Sequence, residues 1–504
     1  FNHFLSTPIT KILSKLILIL YITSIFKKYI KKWVLFKYIT LFNLIMENIE
    51  VLKIGGGILQ NKECFDKVID IVKTKKTENK KLILVLSALY GVTDFLIDSI
   101  DHSVDNSDRI EEIIKELKEK HYHYLDFIEN EKIKTLAKFE IDDKISVLEK
   151  FFFGISYLKE ISPRSKDMIQ SFGERLSPII LEAFLKDNQI DARFIDAKEA
   201  GIVSQGNFEK AKANMKLTTI NLKKLEPELE QKVILLPGYY GIDEEDDVKT
   251  FGRGGTDYSA GFIANIYDAK LEIWKDVSGF MSADPKLVEN ATQIDCLSYE
   301  EAEELGYLGA KILHPRTMNP LREKGLIAEI KNLFDPEKKG TIIGKINETD
   351  FNIKSIASTN ISIININSAA MVDSAGFAGK LFSILKNEEI PVDLISTSET
   401  AISFSVLPQD TAKTLKAFEV FKNCKIKSFT DLSIIGIVGE GIKNTVGIGG
   451  KLFTAVGEEN VNIELVAQGA SEISVSIVVK EESKDTIIKA IHKKLVETST
   501  ANEC

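Results

Sequence analysis

The chain has 504 residues, of which 44% are hydrophobic and 28% are charged, so we expect an ordinary globular protein of two or three domains. The formal net charge is −9, although residues 1–45 hold seven lysines and no Asp or Glu. An acidic body without basic clusters argues against a nucleic-acid partner. The four cysteines form no CxxC pair, which indicates thiols of a reducing, cytoplasmic compartment, without a disulfide framework or a zinc site.

Residues 1–45 are rich in Ile, Leu, Phe, Lys and Tyr. Their longest apolar stretch, 16–26, is short for a spanning helix, which needs about 20 residues. A membrane anchor or signal peptide stays open as an interpretation, but no small-residue cleavage site follows the stretch. We expect translation to begin at Met46, residues 1–45 to be a non-native upstream extension, and the protein to have no membrane partner.

Strands and helices are predicted to alternate through residues 46–345. Charged helical periodicity fills 108–160, another helix follows over 165–186, and Ser298 with Glu301 forms a capping box that opens a further helix. This alternation predicts a three-layer α/β catalytic domain. Short apolar runs predict its strands at 51–54, 81–87, 192–195, 233–236 and 271–274.

Beyond residue 345 the sequence changes to short strands and helices with an internal repeat. The segment 392–406 is echoed by 461–479, and each follows a helix with a Gly-rich start, at 376–388 and 447–459. A strand–helix–strand–strand repeat of this size predicts two small α+β modules in tandem. We place these modules at 346–430 and 431–504.

Lys53 ends the first predicted strand, immediately before three glycines. Backbone N–H groups of such a turn can approach phosphate oxygens closely, and the lysine adds positive charge there. The pattern is not a Walker A loop, and glycine turns after strands are common, so a purely structural turn stays open.

The segment 251–260 (FGRGGTDYSA) offers a second anion site. Arg253 beside paired glycines can hold a carboxylate or phosphate with two parallel hydrogen bonds. Asp257 follows where a helix would start, and a simple N-cap is the structural alternative. An arginine buried there without an anion would be costly, which favours a function.

Three further motifs are weaker alone. Glu174 in SFGERLS is typical of a solvated helix surface. Lys275 and Asp276 follow a strand, which is the usual ligand position in an α/β sheet. A lone histidine such as His314 is more often structural. The sequence shows no Ser–His–Asp arrangement, metal-ligand cluster or dinucleotide fingerprint, which fits phosphoryl transfer to an acceptor that is already anionic.

Together these segments resemble the aspartate kinase family, within the amino-acid kinase fold. Nine motifs occur in the family's order: KIGGG, SALYGVTD, ISPRSKD, SFGERLS, PGYYG, FGRGGTDYSA, WKDVSGFMSADPK, GAKILHP and GTIIG. The resemblance implies a three-layer, carbamate-kinase-like catalytic domain followed by two ferredoxin-like α+β ACT modules. It also implies phosphorylation of L-aspartate by ATP with Mg²⁺, giving 4-phospho-L-aspartate for lysine, threonine and methionine synthesis.

The resemblance also implies roles for matching residues. Lys53 stabilises the transferring phosphoryl group, and Asp257 orients the active-site lysines. No metal is ligated mainly by the protein, since Mg²⁺ is held by ATP oxygens. Positions that match aspartate contacts are Ser87, Thr93, Glu174, Arg253, Gly255 and Thr256. Positions that match nucleotide contacts are Lys53, Gly55, Gly56, Gly57, Lys275, Asp276, Met281, Lys286 and Lys311.

The sequence departs from the family pattern KFGGTS at Ile54, Gly57 and Ile58. It also has Met281 in place of an aromatic residue and Lys286 in place of an arginine. Two hydroxyls are therefore missing from the phosphate loop. Because backbone amides can still bind phosphate, we expect weaker or altered ATP binding rather than loss of activity.

An effector pocket in the first module is the last implication. Asp393 and Glu399 offer anions to ammonium groups, whereas Met371 and Phe377 could also be module core. Lysine is the expected effector and threonine the alternative, acting on a homodimer or higher oligomer joined through the ACT modules. Positions that match a lysine pocket are Met371, Ser374, Phe377, Val392, Asp393, Ser398 and Glu399.

Two other functions stay open. One is a different amino-acid kinase, acting on glutamate or acetylglutamate, against which SFGERLS and the ACT-like tail argue. The other is a non-catalytic amino-acid sensor whose altered KIGGG loop reflects a lost active site. Retention of Lys53, Arg253, Asp257 and Lys311 argues against the sensor.

Overall fold

The computed structural model describes residues 48–105, 107–310, 312–345, 353–368, 376–469 and 473–497. Within these ranges, none of the helices is both long enough and apolar enough to cross a membrane. The strands are β1 Ile49–Ile54, β2 Lys81–Leu86, β3 Ala192–Phe194, β4 Ser204–Gln205, β5 Lys212–Ala213, β6 Val233–Pro237, β7 Tyr240–Ile242, β8 Val248–Thr250, β9 Lys270–Lys275, β10 Cys296–Leu297, β11 Ala328–Asn332, β12 Thr341–Ile343, β13 Ser355–Asn367, β14 Ile395–Thr397, β15 Ala401–Val406, β16 Lys425–Val438, β17 Leu465–Ala467 and β18 Ser474–Lys480.

The helices are α1 Lys62–Thr77, α2 Val92–Asp105, α3 Asp108–Leu125, α4 Glu131–Leu158, α5 Pro163–Gln170, α6 Phe172–Asp187, α7 Ala197–Ala200, α8 Met215–Leu222, α9 Glu226–Leu229, α10 Gly255–Tyr267, α11 Tyr299–Tyr307, α12 Met318–Lys324, α13 Phe377–Asn387, α14 Thr411–Ala417, α15 Gly441–Asn444, α16 Ile448–Glu458 and α17 Lys484–Ile491. A short π-helix, His492–Glu497, continues α17.

Eight strands form the catalytic sheet in the order β10-β12-β11-β9-β1-β2-β6-β3. All neighbours are parallel except β11 and β12. Alternate residues of the central strand β1 enter different cores: Val51 belongs to the core that includes α10 and α11, and Leu52 to the core that includes α1 and α6. Helices therefore cover both faces, and the predicted three-layer α/β fold is confirmed.

The predicted helical stretches are subdivided. Residues 108–160 form two helices, and the stretch 165–186 is divided between α5 and α6, which meet at Ser171. The capping box is confirmed: Glu301 N donates to Ser298 Oγ at 3.0 Å, and Ser298 N donates to Glu301 Oε2 at 2.9 Å.

The regulatory sheet has six antiparallel strands in the order β14-β15-β13-β16-β18-β17. Helices α13 and α16 of this part begin after Gly376 and Gly447, whose φ angles of +89° and +88° are nearly identical. Positive φ favours glycine, so the repeated Gly-rich helix start has a common geometric cause. The tandem α+β modules are confirmed.

The two modules share the long strands β13 and β16. Residues 362–367 of β13 pair with β15 in the first module, whereas 355–361 pair with 432–438 of β16. The second module therefore borrows its fourth strand from the N-terminal half of β13, which lies outside its own predicted limits. The limits 346–430 and 431–504 stay predictions.

Helix α11 and the turn after it join the catalytic part to the regulatory sheet. Ser474 Oγ donates to Glu304 Oε1 at 2.7 Å, and Glu440 N donates to Glu301 Oε1 at 2.9 Å. A Cβ atom on Gly436 would lie 2.1 Å from Leu308 Cδ1, so β16 can approach the turn after α11 only through a glycine. The two parts are in close contact here.

Candidate active site

A cleft of about 740 Å³ opens at the carboxyl ends of the central catalytic strands. Lys53, Ser87, Tyr239 and Lys275 line it, and they lie at or just after the ends of β1, β2, β6 and β9. Ligands of open α/β sheets usually bind at this edge. The fold therefore brings together residues that are far apart in sequence.

A buried ion pair forms the floor of the cleft. Lys53 Nζ lies 2.7 Å from Asp257 Oδ1, and both residues are less than 10% exposed. Asp257 sits inside the first turn of α10, which begins after Gly254, so the alternative that Asp257 is a simple N-cap is wrong. Burial alone would raise the pKa of Asp257, but the positive charges of Lys53 and Lys275 lower it. The carboxylate therefore stays ionised.

Lys275 is the second ammonium group near this carboxylate. Burial and the nearby charge of Lys53 lower the pKa of Lys275, and Asp257 opposes them. Two ammonium groups around one carboxylate leave net positive charge at the carboxyl edge of the sheet. Such charge in a shielded site is suited to phosphate oxygens.

Glu174, in the first turn of α6, is 3% exposed rather than solvated, so the surface interpretation is wrong. Burial raises its pKa to about 8, although the N–H of Ala88, the Thr256 hydroxyl and Lys53 oppose the rise. Glu174 Oε2 has no hydrogen-bond partner among the described residues. A buried acceptor that lacks a partner beside a cleft suits a cationic ligand group.

The glycines of the KIGGG loop differ in the space around them. A Cβ atom on Gly56 would lie 2.9 Å from the Ala88 carbonyl oxygen, and one on Gly55 would lie 3.2 Å from Lys53 Nζ. Nothing lies within 4 Å of the corresponding position at Gly57. Close packing therefore explains the first two glycines, whereas position 57 has room for a side chain.

Arg253 lines the mouth of the cleft on the loop before α10, and its side chain is exposed. The argument that Arg253 is buried is therefore wrong, although the guanidinium remains at the cleft. Gly254 has φ +69°, and a Cβ atom there would lie 2.1 Å from His314 Cβ. Other predicted aspartate contacts in the wall are Ser87, Thr93, Glu174, Gly255 and Thr256.

The model of the amino acid kinase family matches residues 48–332, and the ACT domain model matches 364–419 and 435–495. Aspartokinase 1, chloroplastic, of Arabidopsis thaliana is 30% identical over 480 residues, which cover 90% of this chain and 81% of that protein. The chain belongs to the aspartokinase family.

Two solved structures of the family have the same fold. E. coli aspartokinase III in complex with aspartate and ADP aligns with a TM-score of 0.78 and 25% identity, over 89% of this chain and 100% of that chain. The aspartate kinase of Clostridium acetobutylicum aligns with a TM-score of 0.72 and 28% identity, with the same coverage.

Some residues matched to nucleotide contacts do not line the cleft. Asp276 is exposed just after β9, and Met281 and Lys286 lie farther along the loop between β9 and β10. Gly55 is buried beside Lys53 and does not belong to the wall. Lys311 lies outside the described residues, as do Met371 and Ser374 of the predicted effector pocket.

Sequence reasoning assigned no ligand role to Tyr239 and treated His314 as structural, yet both line the cleft. Tyr239 has φ +74°, and its hydroxyl donates to Gln170 Oε1 at 2.7 Å. Positive φ at a bulky residue is strained and concentrates at functional sites. The available signal was the position of Tyr239 in PGYYG, directly after a buried strand.

The predicted effector residues do not share one site: some line a cavity, some are exposed, and one packs in the core of the first module. Val392 and Asp393 line a cavity of about 800 Å³ between both modules and α11. Ser398 and Glu399 are exposed and do not belong to its wall. The Phe377 ring lies 5.4 Å from that of Phe421, which supports a place in the module core.

Proposed function

We propose that this protein transfers the γ-phosphoryl group of ATP to the side-chain carboxylate of L-aspartate. The observation that carries the proposal is one cleft containing the Lys53–Asp257 ion pair, the Glu174 carboxyl and the Arg253 guanidinium. Glu174 Oε2 has no hydrogen-bond partner among the described residues. Lys53 suits phosphate, Glu174 suits the α-ammonium, and Arg253 suits a carboxylate. The aspartate and ADP in the E. coli relative support this assignment.

The acceptor's chemistry explains why the site needs no general base. An aspartate side chain has an unperturbed pKa of about 3.9 and is a carboxylate at neutral pH. The difficulty is to bring this anion against a polyphosphate, which requires positioning and positive charge. Lys53 and Lys275 supply that charge within the cleft, and Asp257 orients them. The product is an acyl phosphate, 4-phospho-L-aspartate.

The donor groups of the cleft fit Mg²⁺ brought by the nucleotide. Proteins usually bind this ion through one or two carboxylates plus substrate phosphates. Asp94 and Asp257 are carboxylates of the cleft wall, and Asp257 already contacts Lys53. Mg²⁺ would be held mainly by ATP oxygens, where it neutralises phosphate charge.

Amino-acid feedback is the second part of the proposal, with lysine as the effector and threonine as the alternative. The supporting observation is the short path between the two cavities. Glu304 and Leu308 line the cavity beside Asp393, and the neighbouring Gly309 lines the catalytic cleft. A Cβ atom on Gly309 would lie 2.8 Å from the Ser358 carbonyl oxygen of β13. A ligand in the regulatory cavity would therefore contact a segment whose next residue lines the catalytic cleft.

The last part of the proposal concerns the pathway, the compartment, the domain limits and the oligomer. The product of the enzyme enters lysine, threonine and methionine synthesis in the cytoplasm. The chain divides into a catalytic domain at 46–345 and ACT modules at 346–430 and 431–504, and two or more copies associate through the ACT modules.

A hydroxamate assay tests the reaction directly. The full chain is incubated with ATP, Mg²⁺ and hydroxylamine, together with aspartate, glutamate or acetylglutamate. We expect hydroxamate from aspartate alone, because hydroxylamine traps the acyl phosphate. Product from glutamate or acetylglutamate would identify a different amino-acid kinase. Nucleotide binding without any product would identify a sensor.

A further inference from the structure

The loop that follows β9 connects the catalytic cleft to the second regulatory module. It starts at Lys275 in the cleft wall, and farther on it contacts β13. Ile356 N donates to Ser282 O at 2.9 Å, and Ser355 Oγ donates to Met281 O at 2.8 Å. The loop is therefore hydrogen-bonded to the first two residues of β13, at the end of this strand that pairs in the second module.

Apolar contacts hold the same loop. Ala283 and Val288, which are 3% and 6% exposed, belong to the hydrophobic core of the second module. That core also contains Ile488 and Ile491 of helix α17. The loop that begins at Lys275 in the cleft wall therefore shares a hydrophobic core with helix α17 of the regulatory part.

One polar contact lies within this apolar junction. Ser282 Oγ is 2.9 Å from His492 Nε2, and the two residues are 2% and 1% exposed. Thr292 N donates to Ser282 Oγ at 2.9 Å, and His492 Nδ1 lies 3.2 Å from Glu497 Oε1. When Nδ1–H donates to Glu497, Nε2 is left to accept the proton of the Ser282 hydroxyl. The Ser282 hydroxyl and both ring nitrogens of His492 then each have a hydrogen-bond partner.

The position of His492 adds to the significance of this contact. His492 is the first residue of the π-helix His492–Glu497, and such turns occur frequently at functional sites. Exclusion of water strengthens a hydrogen bond between these buried groups. At the other side of the loop, Phe280 N donates to Thr341 Oγ1 at 2.9 Å. The segment between Phe280 and Ser282 is therefore anchored to both parts of the molecule.

We propose that His492 is a positioning residue for nucleotide binding. Through Ser282 it fixes the loop that begins at Lys275 in the cleft wall. This inference rests on the proposed function, because that function assigns Lys275 to the phosphates of ATP. Loss of the hydrogen bond loosens this loop. Glu174, which is assigned to aspartate, lies on a different helix and is unaffected.

The test compares ADP affinity, measured by titration calorimetry, in full-length variants. His492→Ala is expected to weaken ADP binding about fivefold to tenfold, in keeping with loss of one buried hydrogen bond. The KM for ATP should rise in parallel, whereas the KM for aspartate stays within about twofold. His492→Gln should restore most of the affinity, because its amide oxygen can accept from the same hydroxyl.

Two further variants separate this contact from general damage to the junction. In a Ser282→Ala background, His492→Ala should cause no additional loss. Ser474→Ala is the matched control, since it removes a partly buried hydrogen bond between the two parts, from Ser474 to Glu304, away from the loop. It should leave ADP affinity unchanged.

Unchanged ADP affinity in His492→Ala would overturn the proposal, as would an equal loss in Ser474→Ala. Failure of His492→Gln to recover affinity would also overturn it. The measurement does not depend on the amino-acid substrate. If ADP binding behaves as expected but no aspartyl hydroxamate forms, His492 keeps its role and the proposed reaction fails.

Discussion

The catalytic cleft and the predicted effector region are built next to strands in opposite surroundings. All six residues of β1, which ends next to Gly55, are buried, whereas all three residues of β14, which precedes Glu399, are exposed. Phosphoryl transfer requires charges that are fixed before the substrate arrives, and a buried central strand fixes them. An exposed edge strand presents unpaired backbone groups that a ligand or another chain can complete. The architecture thus separates preorganised chemistry from an accessible sensor.

Lys53→Ala tests the buried side of this comparison with the largest expected effect. Removal of one preorganised electrostatic group typically lowers kcat about 10²-fold to 10³-fold. We expect such a loss with the fold intact, measured by steady-state kinetics beside circular dichroism. A folded variant within about tenfold of the wild-type rate would contradict the role of Lys53.

The buried carboxyl of Glu174 predicts that aspartate turnover depends on pH. With a pKa of about 8, this carboxyl is largely protonated near neutral pH and must ionise to bind an ammonium group. The kcat/KM for aspartate should therefore rise from about pH 6 and level off above about pH 9. Glu174→Gln should abolish the rise and increase the aspartate KM about 10-fold to 100-fold. A rise that persists in Glu174→Gln would show that Glu174 is not the group that titrates.

Arg253→Lys has a smaller expected effect, because this side chain is exposed. A lysine cannot form the two parallel hydrogen bonds of a guanidinium to a carboxylate. The aspartate KM should rise about tenfold, with a much smaller change for ATP. If kinetics show the larger change in the ATP constant, Arg253 belongs to the nucleotide.

Glu399→Ala tests the exposed side. Exposed charge pairs contribute about 0.2–1 kcal/mol, so the concentration of lysine for half inhibition should rise only severalfold. Inhibition curves for lysine and threonine, separately and together, give the measurement. Threonine inhibition alone would contradict the choice of lysine, and an unchanged lysine curve in the variant would contradict the assignment of Glu399.

The elements that the sequence predicts well have local signals. The apolar run 233–236 becomes β6, Val233–Pro237, and the spacing of Ser298 and Glu301 becomes a complete capping box. Gly376 and Gly447 mark the same turn in both modules. In each case neighbouring residues contain enough information, because the structure depends on contacts a few positions apart.

The features that the sequence does not predict depend on distant partners. A Glu–Arg pair has the same pattern on a surface helix and in a cleft, so the burial of Glu174 could not be inferred. Tyr239 and His314 meet at the cleft only through tertiary folding. The pairing of 355–361 with 432–438 joins segments that are far apart in the sequence, so no local pattern indicates it.

The borrowed strand has a consequence for synthesis of the protein. Residues 355–361 are synthesised before the strand segments 362–367 and 401–406, which pair in the first module, but their partners 432–438 are synthesised after them. The nascent chain must therefore carry an unpaired strand until the first module has been translated. Because residues 362 and 429 lie on neighbouring strands, the first module behaves as an insert whose two ends are close together. Exchange of that insert between relatives would change the sensor and leave the junction with the catalytic sheet in place.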